Sequence, residues 1–104
     1  ILHRTGVAPI ITLDRDGALA VLPGRAYVIP ALEIDVVSPA GAGDAVLAGL
    51  AAALSRGQTV EDGLRLGFAA AAAVCLMPAT ADCRRADIER LLPQVQLRLY
   101  QPDA

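Results

Sequence analysis

The spacing of apolar residues changes period at Ser38-Pro39, and that change decides what this chain can build. Before it, apolar residues come in short runs or alternate with polar ones, as half-buried strands require; after it, they recur three or four residues apart, as one helix face requires. Ala8 to Leu13 reads as a strand broken at Asp14-Arg15-Asp16-Gly17, and Ala18 to Leu22 as the strand that returns. Pro23-Gly24 closes it, Tyr27 to Ile29 is a third short strand, and Glu33 to Val37 alternates as a fourth. In the second half, Ala45, Val46, Ala48, Gly49, Ala52 and Ala53 mark a first helix that Gly57 ends. Thr59 with Asp62 resembles a capping box opening a second helix to about Met77, where Pro78 terminates it. Ile88, Leu91 and Leu92 give a third, short helix one narrow buried face before Pro93, and Val95 to Tyr100 alternates like a strand.

Strands followed by helices predict an α/β class, and 104 residues with 55% hydrophobic content suffice for one small domain or one piece of a larger one. Aromatic residues are only 3% and tryptophan is absent, so each alanine-rich helix must pack closely to bury enough area. A net charge of −2 offers no basic field for a polyanion, which excludes nucleic acid and anionic membrane as main partners and leaves small molecules. No apolar run has the length of a spanning helix and Ile1 begins in mixed sequence without a signal-peptide pattern, so the expected compartment is the cytoplasm. Cys75 and Cys83 make no metal-ligand pattern and the chain has one His, so no metal site is expected; both are read as free thiols, Cys75 as a small core residue.

The chemistry lies in Ser38-Pro39-Ala40-Gly41-Ala42-Gly43-Asp44-Ala45, between a predicted strand and a predicted helix. Two glycines separated by alanine let an anion approach the main chain. The unpaired N–H groups of Ala42, Gly43 and Asp44 at the helix start, reinforced by the helix dipole, would attract phosphate oxygens. An acid there is either a cap for the helix or a poised reagent. The residues alone leave both readings open, because the Lys-Ser/Thr of a P-loop and the full Gly-x-Gly-x-x-Gly of a dinucleotide fold are absent.

The same segment resembles the Gly-Ala-Gly-Asp signature of the ribokinase and phosphofructokinase-B family of sugar kinases. Ile11 to Leu19 resembles the strand-turn-strand by which that family faces its nucleotide, and the alanine-rich helix through Met77 with Pro78-Ala79-Thr80 resembles its adenine-side wall. The stretch from Ala69 to Leu92 is more similar to the sugar-phosphate kinases of the family, the 1-phosphofructokinase and tagatose-6-phosphate kinase branch. The resemblance covers residues 1–104 as the C-terminal segment of a kinase domain. It implies part of a three-layer α/β sandwich with a mostly parallel central sheet, to which this segment contributes edge hairpins and covering helices.

What the resemblance implies for the site is specific. Asp44 would be the catalytic base that takes the proton from a sugar or sugar-phosphate hydroxyl, with Gly41, Ala42 and Gly43 supplying loop amides that balance charge on the transferred group. ATP and Mg2+ are the implied cofactors, the metal being held outside this segment. Thr12, Asp14 and Gly17, with Gly43 and Asp44, are the implied nucleotide contacts. Asp14 departs from the family, which usually has glycine there; a carboxylate near ATP phosphates repels them unless it points away or meets a cation.

The segment alone is expected to lack sugar kinase activity. Two rival readings are a nucleotide-binding pseudo-enzyme, favoured by Asp14, and a structural or self-associating fragment, favoured by the unpaired sheet edge that such a segment would expose. Homo-oligomerisation is expected on the same ground. His3 is assigned no role, and Arg84 and Arg85, near Asp82 and Asp87, are read as solvent-facing charges at a helix start.

Overall fold

The computed structural model describes residues 10–12, 17–22, 24–34, 36, 41–78 and 84–100. The chain divides into two compact units: one made of residues 1–31 and 96–104, the other of residues 32–95.

The first unit is a four-stranded sheet in the order β1 (Ile10–Thr12), β2 (Ala18–Leu22), β3 (Arg25–Ile29), β4 (Arg98–Leu99), with every neighbouring pair antiparallel. Ile10 pairs with Ala20 and Thr12 with Ala18, so β1 and β2 are antiparallel neighbours, while Asp14 to Asp16 of the expected break lie outside the described residues. Gly24, at φ 80, lies in the short connection from Leu22 to Arg25, which face each other in register. Along β2 the side chains obey the period of two: Ala18, Ala20 and Leu22 are buried on one face, while Leu19 and Val21 are half-buried on the other. Ile29, 1% exposed, sits opposite Ala18 and supplies the bulk that alanine lacks. The Tyr100 N–H donates to the Ala26 carbonyl at 2.8 Å and extends the β3–β4 pairing by one bond.

The second unit is helical: α1 (Ala42–Ser55), α2 (Val60–Cys75) and α3 (Arg85–Leu91), the last running into a 3-10 turn over Leu92–Gln94. The end of α1 satisfies its carbonyls through Gly57. That residue, at φ 76, donates to the Leu54 carbonyl at 3.1 Å, and Gln58 donates to Ala53 at 3.0 Å, the paired bonds of a Schellman motif. Two residues later Thr59 caps α2, its Oγ1 accepting from the Asp62 N–H at 3.0 Å. Asp62 is exposed and its carboxylate lies 3.5 Å from Arg65.

Three helix-interior glycines set the contact of α1 with α2. A Cβ on Gly67 would come within 2.6 Å of the Val46 carbonyl oxygen, one on Gly49 within 2.6 Å of the Gly67 nitrogen, and one on Gly63 within 2.6 Å of Leu50 Cδ1. Each glycine costs the helix about 1 kcal/mol relative to alanine. That cost is offset because main chain packs on main chain, which is how an alanine-rich pair without large side chains achieves dense burial. On α2, Leu64, Ala69 and Ala71 to Val74 are also buried, because α3 and its 3-10 turn pack on α2 in addition to α1. Leu91 is the one fully buried large side chain of α3, with Ile88 and Leu92 half-buried beside it.

Four expectations need correction. Glu33, Ile34 and Val36 belong to no strand, and Val36 is 58% exposed; burial does alternate from Pro30 to Ile34, but alternation makes a strand only where a partner backbone completes the ladder. Only Arg98 and Leu99 of the Val95 to Tyr100 segment pair as strand, because β3 offers a partner for two residues there. Helix α2 ends at Cys75 with Leu76 as C-cap, two residues short of Met77, because residues before a proline disfavour helical geometry. Cys75 itself is half-buried at that helix end and is no fully buried core residue; the partial burial pushes its thiol pKa up. Cys83, His3 and the Pro78-Ala79-Thr80 turn beyond Pro78 lie outside the described residues. The described strands are all antiparallel, and a parallel sheet is not among them.

Candidate phosphate-facing helix start

Gly41 turns the chain into α1. Its φ of 85 and ψ of −2 place it in the left-handed region, which a residue with a Cβ enters only at a cost, and its carbonyl accepts from the Ala45 N–H at 3.0 Å as the first helical bond. No side chain caps α1, since its N-cap is glycine. The amides of the first turn therefore have no acceptor within the helix, as at any α-helix start.

Among the described residues little surrounds those amides. Ala42 is half-buried, whereas Gly43 and Asp44 are exposed, and a Cβ built on Gly43 would have nothing within 4 Å. Packing thus explains Gly41 through its φ but gives no reason for Gly43. A glycine with open space above it, on a helix start with free amides, leaves room for a group larger than a side chain to reach the backbone. Asp44 follows in the first turn, where a carboxylate also interacts favourably with the helix dipole. The first buried residue of α1 is Val46, and before it Gly41 and Ala42 are half-buried while Gly43 and Asp44 face solvent.

The other predicted contacts lie in the sheet unit. Thr12 ends β1, paired with Ala18. Gly17 stands immediately before β2 at φ 98, and its Cβ would collide with the Ile29 carbonyl, so strand packing alone already requires glycine there. Asp14 lies outside the described residues. The structure therefore brings Gly41, Ala42, Gly43 and Asp44 together on one helix start, while Thr12 and Gly17 belong to the other compact unit.

Arg84 and Arg85 are exposed, as expected, but Arg85 pairs with Glu89 at 3.1 Å, one helical turn on, and Asp87 with Arg90 at 3.4 Å. The i, i+4 and i, i+3 spacings put these partners on one helix face, which proximity in sequence does not. Among the described residues no group of three or more His, Cys, Asp or Glu could hold a metal ion, and no helix is long and apolar enough to cross a membrane. Sequence reading missed Gly63 and Gly67; the spacing Gly63-x-x-x-Gly67 inside a helical pattern was the available signal, since such glycines mark close helix approach.

Several known proteins are similar to this chain. The chain is 40% identical over 81 residues to ATP-dependent 6-phosphofructokinase isozyme 2 of Mycobacterium tuberculosis, a match covering 78% of this chain and 24% of that protein. It is 38% identical over 92 residues to 1-phosphofructokinase of Haloferax volcanii, covering 88% of this chain and 29% of that protein. The crystal structure of ribokinase from Thermotoga maritima superposes with a TM-score of 0.74 at 27% identity, over 83% of this chain and 30% of that one. The chain thus spans only 24 to 30% of the length of these relatives, and over the superposed span it shares the α/β fold of the ribokinase. The sequence profile of the pfkB family carbohydrate kinases matches residues 1–87, and the chain belongs to that family.

Proposed function

We propose that these 104 residues are the C-terminal segment of a ribokinase-like sugar kinase domain, and that the whole domain transfers a phosphoryl group from ATP to a hydroxyl of a sugar or sugar phosphate. The observation that carries this reading is Gly43: exposed, with open space where its Cβ would be, between a left-handed Gly41 and an exposed Asp44 on an uncapped helix start. A polyphosphate fits those free first-turn amides. The sugar hydroxyl attacks the γ-phosphorus, the bond from that phosphorus to the ADP oxygen breaks, and Asp44 takes the hydroxyl proton. Bound Mg2+ would neutralise phosphate charge; the described residues contain no complete ligand set for it, so the reading assigns its ligands to the nucleotide and to other parts of the domain.

The names of the relatives favour a hexose phosphate as acceptor. The mostly parallel sheet of the sandwich is assigned to the part of the domain that this segment does not span. In the whole kinase, Asp44→Asn leaves ATP affinity within a few-fold and lowers turnover by roughly two to four orders of magnitude. Turnover near the parent rate would reduce Asp44 to a helix-start charge. The 104-residue segment alone gives no sugar-dependent ATP consumption, because the acceptor is not positioned.

If Asp14 lies near the nucleotide phosphates, Asp14→Gly tightens ATP binding at low salt, and an unchanged dissociation constant excludes that placement. A second reading, self-association of the segment, is favoured by α1, where Leu47 is 62% and Leu54 47% exposed. Sedimentation over a range of concentrations tests it, and a monomer throughout overturns it.

A further inference from the structure

The axial position of Asp44 is set by whatever holds α1. The first turn has no side-chain cap, and Gly43 and Asp44 touch solvent, so the hold comes from further along the helix. The first buried residue is Val46, 6% exposed, and its main chain meets Gly67 of α2. A Cβ on Gly67 would lie 2.6 Å from the Val46 carbonyl oxygen and 3.2 Å from its Cα. One turn on, Gly49 meets the Gly67 main chain in return, with Leu66 C at 3.0 Å from where its Cβ would be. The turn from Val46 to Gly49 is thus seated on Gly67 by backbone at both ends. Backbone contacts cannot be relieved by a rotamer change, so they fix both rotation and translation of α1. Asp44 is only about 3 Å along the helix axis from Val46, at about 1.5 Å per residue, and moves with it.

We propose that Gly67 is a positioning residue for phosphoryl transfer: by seating the Val46–Gly49 turn it places the Asp44 carboxylate at the reacting hydroxyl. This rests on Asp44 acting as the base. Gly63, on the same helix, provides the contrast, because a methyl there meets first the movable end of Leu50 at 2.6 Å, with the Leu50 main chain no nearer than 3.2 Å, at a point further from Asp44 along α1. Adding a methyl to Gly67 displaces the start of α1, and misplacement of a base by about 1 Å can cost about 100-fold in rate.

The experiment is a double-mutant cycle in the whole kinase, with kcat and the KM values for ATP and the sugar phosphate measured for Gly67→Ala, Asp44→Asn and their combination. Gly67→Ala should lower kcat by about 10-fold or more with both KM values within about two-fold, and this loss should vanish in the Asp44→Asn background, where no base remains to be misplaced. Gly63→Ala should leave kcat within about two-fold. Parental kcat in Gly67→Ala overturns the proposal, as does a loss that persists undiminished beside Asp44→Asn. Parental turnover of Asp44→Asn alone would instead sink the reading of Asp44 as base, and the proposal with it. If Gly67→Ala does not yield folded protein, Gly49→Ala places a methyl against the Gly67 main chain from the α1 side, and the same cycle applies: loss of kcat confined to the Asp44 background supports the proposal, and additive loss overturns it.

Discussion

Gly17 lies against the Ile29 carbonyl: at φ 98 the chain passes so close to β3 that a Cβ on Gly17 would strike that oxygen and approach the Ala31 nitrogen to 2.9 Å. Gly24, at φ 80, has the same left-handed conformation but nothing within 4 Å of its would-be Cβ. The pair separates two costs. Gly24→Ala should lose about 1 kcal/mol, the conformational term alone, whereas Gly17→Ala should lose roughly 2 to 4 kcal/mol because steric overlap is added. Urea unfolding of both variants measures this, and equal losses would mean that the β1–β2 connection relaxes freely.

Gly49→Ala opposes two effects of different size. Helix propensity gains about 1 kcal/mol, while overpacking against the Gly67 main chain costs about 1 to 3 kcal/mol and cannot be relieved by a side-chain rotation. The expected net result is a lower melting temperature by several degrees, at about 4 to 8 °C per kcal/mol for a domain of this size. A higher melting temperature would show that α1 and α2 can part at little expense.

Thr59→Ala removes the acceptor for the Asp62 N–H and should cost about 1 kcal/mol, while Thr59→Ser keeps the oxygen and most of the stability. Thermal unfolding of the two variants decides. A serine variant as unstable as the alanine one would assign the effect to the lost methyl instead of the cap.

Partial burial raises the pKa of Cys75 above its unfolded value, so the folded state favours the protonated thiol. In the window between the two values the unfolded chain has lost the proton that the folded chain keeps. Stability from this group is therefore fully present below the unfolded pKa and declines as pH rises through the folded one. With Cys83 replaced by serine, alkylation by iodoacetamide at pH 8 should be slower in the folded protein than in urea, since only thiolate reacts. Equal rates would show that the α2 terminus frays open around Cys75.

The elements legible in the sequence were those specified by neighbours in the chain. The antiparallel pair of β1 and β2, the start of α1 at the glycine pair, Gly57 as its stop and Thr59 as the next cap all follow from contacts within a few residues. Glu33 to Val37 failed because its alternation gave no information about a pairing partner. The seat made by Gly67 was hidden for a related reason: a glycine inside a helix reads locally as a weakness, and only the crossing of another helix turns it into a contact. The glycine-aspartate start was recognisable as a motif, but the absence of any described neighbour within 4 Å of a Cβ on Gly43 is a property of the surroundings.

The sheet unit is discontinuous in the chain: residues 32–95 intervene between the strand pair that β3 begins and β4 completes. During synthesis the ribosome releases the helical unit whole before Arg98 and Leu99 emerge, so the helices can fold while β3 still presents an open edge. Joining β4 to β3 closes a long loop, and the entropy of that closure falls mostly once the helical unit has already shortened the distance. The helical unit therefore behaves as a cassette inserted into a small antiparallel sheet.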